Sequence, residues 1–406
     1  AEAAARAQER AYDAVTSSSL SRVVSMEADD DSAVNALVEA MRDRASVVRA
    51  AAARSLGNSG DARALTPLQT GLRDADPMVR AFSARGLGGL EDRRSVAPLV
   101  AALDDRAFEV RWAAVSSLGS LGDRTTGAAI ARTVRDDSMD VRRAAINALG
   151  RMRDTSQLGS IAGALRDEAP EVRRAAARAL QQMNDAHAVD ALIGALRDPD
   201  AGTRRAAVEA LSSINDAKAL VPLTSAARDD SVEVRRAAIH ALGRMHDPSS
   251  FGTLMDAMRD PAIEVRMTAI ASLAELRDAR AAGPLTSALS DRERVVRAAA
   301  AIGLGRLREP GPDAAAALAR LLTDVSPSVR RAAATALAQI RDTTTVPALS
   351  NATKDEDPGT RRAAVRALAN IRNQSALDAL RAITDTTDVE MRRTIDNALN
   401  RRRVSL

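Results

Sequence analysis

The stretch Glu171-Val-Arg-Arg-Ala-Ala-Ala-Arg-Ala-Leu180 recurs with small changes as Asp140-Val-Arg-Arg-Ala-Ala-Ile-Asn-Ala-Leu149 and as Glu233-Val-Arg-Arg-Ala-Ala-Ile-His-Ala-Leu242. Its first arginine, here called the anchor, recurs every 31 residues apart from one spacing of 33: Arg49, Arg80, Arg111, Arg142, Arg173, Arg204, Arg235, Arg266, Arg297, Arg330, Arg361 and Arg392. A leucine stands seven residues after every anchor. A fixed period of this length indicates a repeat protein whose copies stack on one another.

Each copy is predicted to form two short helices. In the second helix, Val141, Ala145, Leu149 and Met152 recur at helical spacing and form one apolar stripe. The first helix begins after an N-cap aspartate at a fixed offset: Asp61, Asp92, Asp123, Asp154, Asp185, Asp216, Asp247, Asp278 and Asp342. One helix pair cannot bury its apolar stripe alone. We therefore predict an all-α fold, a right-handed α-solenoid of about twelve two-helix repeats over residues 32–406.

The composition supports this class and excludes several others. Only five of the 406 residues are aromatic and none is cysteine, which excludes disulfides, thiolate metal sites and thiol nucleophiles. The 58 cations face 54 anions, a balance that gives only a weak indication of nucleic acid or an anionic membrane as partner. No apolar run approaches the roughly 18 residues of a membrane span, so we expect no membrane insertion.

Two segments depart from the period. Residues 1–31 lack it, and we expect them to form an N-terminal helical capping segment that shields the first repeat. The two extra residues fall in Glu309-Pro-Gly-Pro-Asp313, where we expect a longer loop and no domain boundary. The chain starts with Ala1 and not with Met, so we expect it to be cut from a precursor or a larger protein.

The repeat Asp-Pro-x-x-Glu-Val-Arg-Arg-Ala-Ala-x-x-Ala-Leu-Gly resembles the HEAT-like repeat of the phycobilin-lyase type over about residues 32–401. The resemblance implies a protein-binding scaffold in which the second helices line the concave side. Some members of that family are bilin lyase subunits, and one branch is a di-iron hydroxylase with paired His-Glu motifs. None of His187, His240 and His246 is followed by Glu, so the hydroxylase chemistry is not expected here.

An aspartate stands six residues before the anchor in eleven of the twelve copies. The aspartate near the end of one helix and the arginine in the first turn of the next are both unfavourably placed relative to the helix dipoles. We interpret these residues as a structural ladder in which each compensates the other, and we expect Arg173 to pair with Asp167. An arginine fork can also bond the carboxylate and the turn carbonyls of the adjacent repeat. The mid-array members of this ladder are Asp136, Arg142, Asp167, Arg173, Asp198, Arg204, Asp229 and Arg235. The alternative is that the arginines bind phosphate.

The residue after the anchor varies between arginine, alanine, methionine and tryptophan, which predicts a solvent-facing row. Four arginines of this row are candidate contacts for an acidic partner: Arg143, Arg174, Arg205 and Arg236. Trp112 replaces the arginine in one copy, and Phe108 stands four residues earlier. We predict a binding hot spot at Trp112, since tryptophan and arginine dominate protein-binding energy. The alternatives are a solvated charge row and aromatic side chains that fill a gap between repeats.

No catalytic, cofactor or metal site is predicted from the scattered histidines and ordinary repeat positions. We therefore expect a non-enzymatic scaffold that binds a protein partner along its concave face, and a soluble, monomeric bacterial protein. Two other functions stay open: binding of nucleic-acid phosphates through the arginine rows, and a bilin lyase or lyase subunit. The near absence of stacking aromatic residues argues against nucleic acid.

Overall fold

The computed structural model describes residues 30–307, 309–371, 373–383 and 387–403, which contain α-helices and 3₁₀ turns and no β-strand. The chain is an α-solenoid of two-helix repeats, as the period predicts. It divides into two compact units, Ala1–Ile214 and Asn215–Leu406. The predicted capping segment, residues 1–31, lies outside the described residues except for Asp30 and Asp31, with which the first described helix begins.

In the described part of the first unit, six short helices alternate with six long ones. The short helices are Asp30–Ala40, Leu65–Gly71, Val96–Ala102, Gly127–Arg132, Leu158–Gly163 and Val189–Ala195. The long helices carry the anchors and are Ser46–Ser59, Pro77–Gly89, Phe108–Leu121, Met139–Met152, Pro170–Met183 and Ala201–Ile214.

The second unit repeats this alternation over its described residues. Its short helices are Leu220–Ala226, Phe251–Ala257, Ala282–Ala288, Pro312–Leu321, Val346–Ala352 and Gln374–Arg381. Its long helices are Val232–Met245, Ile263–Leu276, Arg294–Arg306, Pro327–Ile340, Pro358–Asn370 and Val389–Arg403. The repeat with the two extra residues keeps both helices, and Gly311 (φ 84°) precedes its short helix in a conformation that favours glycine.

Aspartate caps begin the short-helix segments where the sequence predicts them. All nine predicted N-cap aspartates accept a hydrogen bond from the main-chain N–H two residues later. Asp61, for example, accepts from the N–H of Arg63 at 2.8 Å. Each cap opens a 3₁₀ turn that precedes the short α-helix, a common arrangement at helix N-termini. In nine of the repeats the cap therefore marks where the short-helix segment begins.

Leucine and small residues make the core. The leucine seven residues after the anchor is fully buried in each repeat from Leu56 to Leu368, and only Leu399, in the last helix, is half-buried. Within each unit the long helix of one repeat packs on the long helix of the next. The contact is close because small residues face each other: a methyl group at Gly150 would lie 2.8 Å from the Cβ of Ala179. Alanine and glycine thus replace the large aromatic residues of an ordinary core.

No helix among the described residues is both long and apolar enough to cross a bilayer.

We predict opposite effects for two glycine-to-alanine substitutions. Gly150→Ala should lower the free energy of unfolding by about 1–3 kcal/mol, because the new methyl group overlaps the neighbouring long helix. Gly194→Ala, in the short helix Val189–Ala195, should raise it by about 0.5–1 kcal/mol, because no atom lies within 4 Å of its Cβ position and alanine favours the helix. Urea unfolding followed by circular dichroism measures both, and a stabilising Gly150→Ala would contradict the close approach.

Candidate functional site

The anchor arginines lie between consecutive inter-helix turns. The Nε and Nη2 of Arg173 donate to the two carboxylate oxygens of Asp198 at 2.7 and 2.8 Å. Its Nη1 donates to the main-chain oxygen of Asp167 at 2.8 Å and to that of Glu168 at 3.0 Å. Both partners of the ion pair are largely buried, with side-chain exposures of 11% and 8%. One guanidinium therefore joins its own turn to the turn of the next repeat.

The expected pairing of Arg173 with the carboxylate of Asp167 is wrong. That carboxylate accepts instead from Arg142, at 2.7 Å from Nε and 2.9 Å from Nη2, and also from the N–H of Ala169 at 2.9 Å. The side chain of a residue in a first helical turn points back toward the helix N-terminus. The Nη1 of Arg173 therefore meets the carbonyls of Asp167 and Glu168 in the turn before its helix, and the Nε and Nη2 of the same guanidinium face the carboxylate of Asp198 in the turn of the next repeat.

The same bidentate pair recurs along both units, with Nε–Oδ2 distances from 2.6 to 3.1 Å. The pairs are Arg49–Asp74, Arg80–Asp105, Arg111–Asp136, Arg142–Asp167, Arg173–Asp198, Arg235–Asp260, Arg266–Asp291, Arg297–Asp324 and Arg330–Asp355. Of the other predicted ladder members, Arg204 donates to the carbonyl of Asp198 and Asp229 accepts from the N–H of Ser231, both at 2.8 Å. The guanidinium N–H groups of these anchor arginines thus point into the inter-helix turns.

The ion pairs lower the pKa of five ladder aspartates. The hydrogen bond from Arg49 lowers the pKa of the Asp74 carboxyl below its ordinary value, although burial acts in the opposite sense. In further ladder aspartates burial is the largest influence and raises the pKa, but the arginine and main-chain hydrogen bonds together outweigh it: Asp105, Asp260, Asp324 and Asp355. Among the caps, Arg63 lowers the pKa of Asp61 to about 2. These carboxylates stay charged at neutral pH.

From Trp112 onward the residues after the anchors are partly or largely exposed on one side of the long helices, here called the long-helix face. The predicted solvent-facing row is wrong for the first two copies, because Ala50 and Ala81 are buried. Three of the four candidate arginines there are half-exposed and contact carboxylates of their own helix. Arg143 lies 2.9 Å from Asp140, Arg174 lies 3.2 Å from Glu171, and Arg205 lies 3.4 Å from Glu209. Arg236 is exposed and contacts no carboxylate of the described residues. Three of the four candidate arginines are therefore partly neutralised before any partner arrives.

Trp112 and Phe108 are both half-buried on the helix Phe108–Leu121, which begins at Phe108. The guanidinium of Arg85, from the preceding repeat, lies 4.8 Å from the centre of the Trp112 ring and 5.5 Å from that of Phe82. A guanidinium at this distance from a ring face is attracted by the ring quadrupole. Trp112 is thus held in place by its neighbour and remains partly open to solvent.

The predicted site lacked Arg85 and Phe82. Arg85 stands five residues after the anchor Arg80, and Trp112 stands one residue after the next anchor, Arg111. These two repeat positions face each other because adjacent long helices pack side by side. A search of the sequence for a cation five residues after the anchor of the preceding repeat would have found the contact.

The histidines form no metal site among the residues that the structure describes, where no group of three His, Cys, Asp or Glu side chains comes together. His187 contacts Asp185 at 2.7 Å on the surface, and His240 and His246 are exposed. The described part of the chain thus brings together arginines, carboxylates and aromatic rings on a helical surface. Such a surface can bind a partner by ion pairing and stacking.

Comparison with known proteins identifies the repeat. The sequence profile of HEAT repeats matches residues 5–74, 67–150, 160–243, 220–305, 251–336 and 314–400. No curated protein sequence matches the chain.

Solved structures share the fold. Kap121p superposes with a TM-score of 0.64 at 15% identity over 94% of this chain and 50% of its own. Kap121p bound to Nup53p gives 0.62 at 16% identity over 91% and 48%. Kap95p with RanGDP gives 0.59 at 14% over 91% and 60%. At these identities the likeness shows the fold alone, and the chain spans about half to three fifths of the length of these proteins.

We predict that a double-mutant cycle separates the two possible partners of Arg173. Arg173→Ala should lower the free energy of unfolding by about 2–4 kcal/mol, because it leaves the buried Asp198 carboxylate without its cation. Arg173→Ala and Asp198→Ala should couple by about 1–3 kcal/mol in denaturant unfolding.

The matched control is the adjacent, more exposed Arg174. Arg174→Ala should change stability by no more than about 0.5 kcal/mol, since exposed ion pairs contribute little. Equal losses for Arg173→Ala and Arg174→Ala, or stronger coupling of Arg173 to the side chain of Asp167, would contradict the assigned pairing.

We predict that stability falls in acid. A carboxyl whose folded pKa lies below the unfolded value of about 3.8 contributes stability that is complete above pH 3.8 and is lost as the pH falls through the folded pKa. Asp74→Asn should therefore destabilise the protein at pH 7, and its difference from wild type should shrink below pH 3.8. Asp104→Asn, at an exposed position, is the control. A difference for Asp74→Asn that stays constant into acid would refute the ladder's electrostatic contribution.

Proposed function

Since the chain belongs to the HEAT-repeat family, we propose that it is a non-enzymatic scaffold that binds a protein partner on its long-helix face. The observation that carries this proposal is the Trp112 contact, in which Arg85 of the preceding repeat stacks on a half-buried ring. Immobilised aromatic and arginine side chains on an exposed surface are the residue types that supply most of the binding energy at protein interfaces.

The fold relatives support the choice of a protein as partner. Kap121p and Kap95p have been crystallised with the proteins Nup53p and RanGDP. A regular row of side chains on stacked helices offers an extended surface to such a partner.

The anchor arginines argue against the alternative of phosphate binding. In each described pair the guanidinium already donates to a carboxylate and to turn carbonyls, so a nucleic-acid phosphate would have to displace a buried partner. The row arginines are partly neutralised as well, which favours a partner that also offers apolar surface. The bilin-lyase alternative stays a hypothesis that no residue contact favours.

We predict that Trp112→Ala weakens partner binding by about 2 kcal/mol or more, roughly thirtyfold. The loss of the Arg85 contact should cost about 1 kcal/mol of stability, so the protein stays folded. The partner is to be purified from the source organism on the immobilised chain and its affinity measured in solution. Trp112 is the only tryptophan, so its fluorescence reports on this site alone.

Phe251→Ala is the matched control. Phe251 begins a short helix, and Arg280 lies 4.4 Å from its ring centre, so the same kind of contact is removed away from the long-helix face. Its affinity should stay within twofold of wild type. A large stability loss in Trp112→Ala with unchanged affinity per folded molecule would show that Trp112 only fills a gap between repeats.

A further inference from the structure

Two neighbouring long helices of the second unit expose apolar side chains at positions where other repeats mostly carry charged or polar residues. Met267 stands at the row position of the helix Ile263–Leu276 and is 36% exposed. On the next helix, Arg294–Arg306, Val295 is 41% and Ile302 is 45% exposed. Together with Ala271 and Ala298 they form what we call the apolar patch. A contiguous apolar surface on an otherwise charged face marks an interaction site.

The helices on either side of the apolar patch carry cations. On the preceding helix, Val232–Met245, Arg236 occupies the row position, is exposed and contacts no carboxylate of the described residues. On the following helix, Pro327–Ile340, Arg331 occupies the same position and lies 3.1 Å from Asp357. The four helices pack in this order within the second unit. In the order of the four helices, the first presents a cation, the second and third present apolar side chains, and the fourth presents a cation.

We propose that the apolar patch binds an extended protein segment with two apolar side chains flanked by an acidic residue on each side. The acidic residues of the segment pair with Arg236 and Arg331, and its two apolar side chains pack on the apolar patch. The acidic flank at Arg236 meets a cation that contacts no carboxylate of the described residues. The opposite flank must share Arg331 with Asp357, so Arg236 contributes more of the selectivity.

The spacing of the helices sets the spacing of the residues in the segment. Packed helices lie about 8–10 Å apart. An extended segment in the polyproline II conformation rises about 3.1 Å per residue with three residues per turn, so every third side chain lies on the same face. One helix spacing thus corresponds to about three residues of the segment. The pattern that fits is Glu-x-x-Leu-x-x-Leu-x-x-Glu, with aspartate or another aliphatic residue as equivalents.

This inference rests on the proposed function in that it makes the long-helix face a protein-binding surface, but it does not use Trp112. The two proposals involve different units and different side chains. They can therefore fail separately.

The experiment measures binding of two synthetic peptides to the full chain by fluorescence anisotropy. One peptide has the pattern Glu-x-x-Leu-x-x-Leu-x-x-Glu, and the other has lysine in place of both glutamates, with polar residues at the remaining positions. We expect the acidic peptide to bind at least tenfold more tightly than the basic one. Arg236→Glu should reverse or abolish this preference, which a loss of folding alone would not do.

Ile302→Asp and Met267→Asp should each weaken binding of the acidic peptide at least tenfold. Val221→Asp is the matched control, because Val221 is more exposed, at 74%, but lies on the short helix Leu220–Ala226. It should leave binding within twofold of wild type. Melting temperatures of all variants verify that these exposed substitutions preserve the fold.

Four outcomes would overturn the inference: no measurable binding of the acidic peptide, equal binding of both peptides, binding that survives Ile302→Asp and Met267→Asp, or an equal loss in Val221→Asp. A fifth contradicting outcome is self-association of the chain in sedimentation. A dimer that Ile302→Asp dissociates would show that a second copy of the chain occupies the apolar patch. A peptide preference that depends on Arg236, together with unchanged partner affinity in Trp112→Ala, would support the patch and refute the hot spot.

Discussion

Within each unit, the bidentate contact between an anchor arginine and the aspartate of the next repeat joins the turns of neighbouring repeats. Arg142 shows the whole arrangement, because its Nε and Nη2 donate to the carboxylate of Asp167 while its Nη1 donates to the carbonyl of Asp136. Asp167 also accepts a hydrogen bond from the N–H of Ala169 and so caps its own turn. A buried ion pair of this kind adds little net stability over an apolar pair, but it is costly to break and it specifies register. The small residues along the long helices then supply the close packing.

Much of the fold follows from the period. The buried leucines, the aspartate caps and the alternation of helices all repeat every 31 residues. Each of them can be predicted from the residues of a single copy. The partner of Arg173 could not be found in this way. In a chain of period 31, the residue six positions before an anchor and the residue 25 positions after it are equivalent, so Asp167 and Asp198 satisfy the pattern equally. The structure selects Asp198, because the carboxylate of Asp167 already accepts from Arg142 and from the N–H of Ala169.

The long-helix face was less predictable, because its chemistry depends on contacts between repeats. The sequence identifies Trp112 and Arg143 as exposed-row residues, but the cation on the Trp112 ring and the carboxylate beside Arg143 lie at other repeat positions. A row of arginines in the sequence suggests a strongly basic strip. In the structure the neighbouring acidic side chains neutralise much of it, and apolar side chains interrupt it at Met267 and Ile302. Such a face therefore selects a partner mainly through the positions at which a copy departs from the repeat.

The ladder also bears on how a chain of this kind changes its length. In the nine described pairs the arginine of one repeat donates to the aspartate in the turn of the next repeat. Duplication or loss of one whole copy within such a run therefore leaves each remaining guanidinium with a carboxylate. The 33-residue copy shows the tolerated variation: its additional residues precede the short helix Pro312–Leu321, and Arg297 still reaches Asp324 at 2.8 Å. Unequal recombination between near-identical gene segments would therefore yield foldable products whenever it preserves the copy. Insertions within an inter-helix turn would separate the carboxylate from its arginine, and selection should remove them.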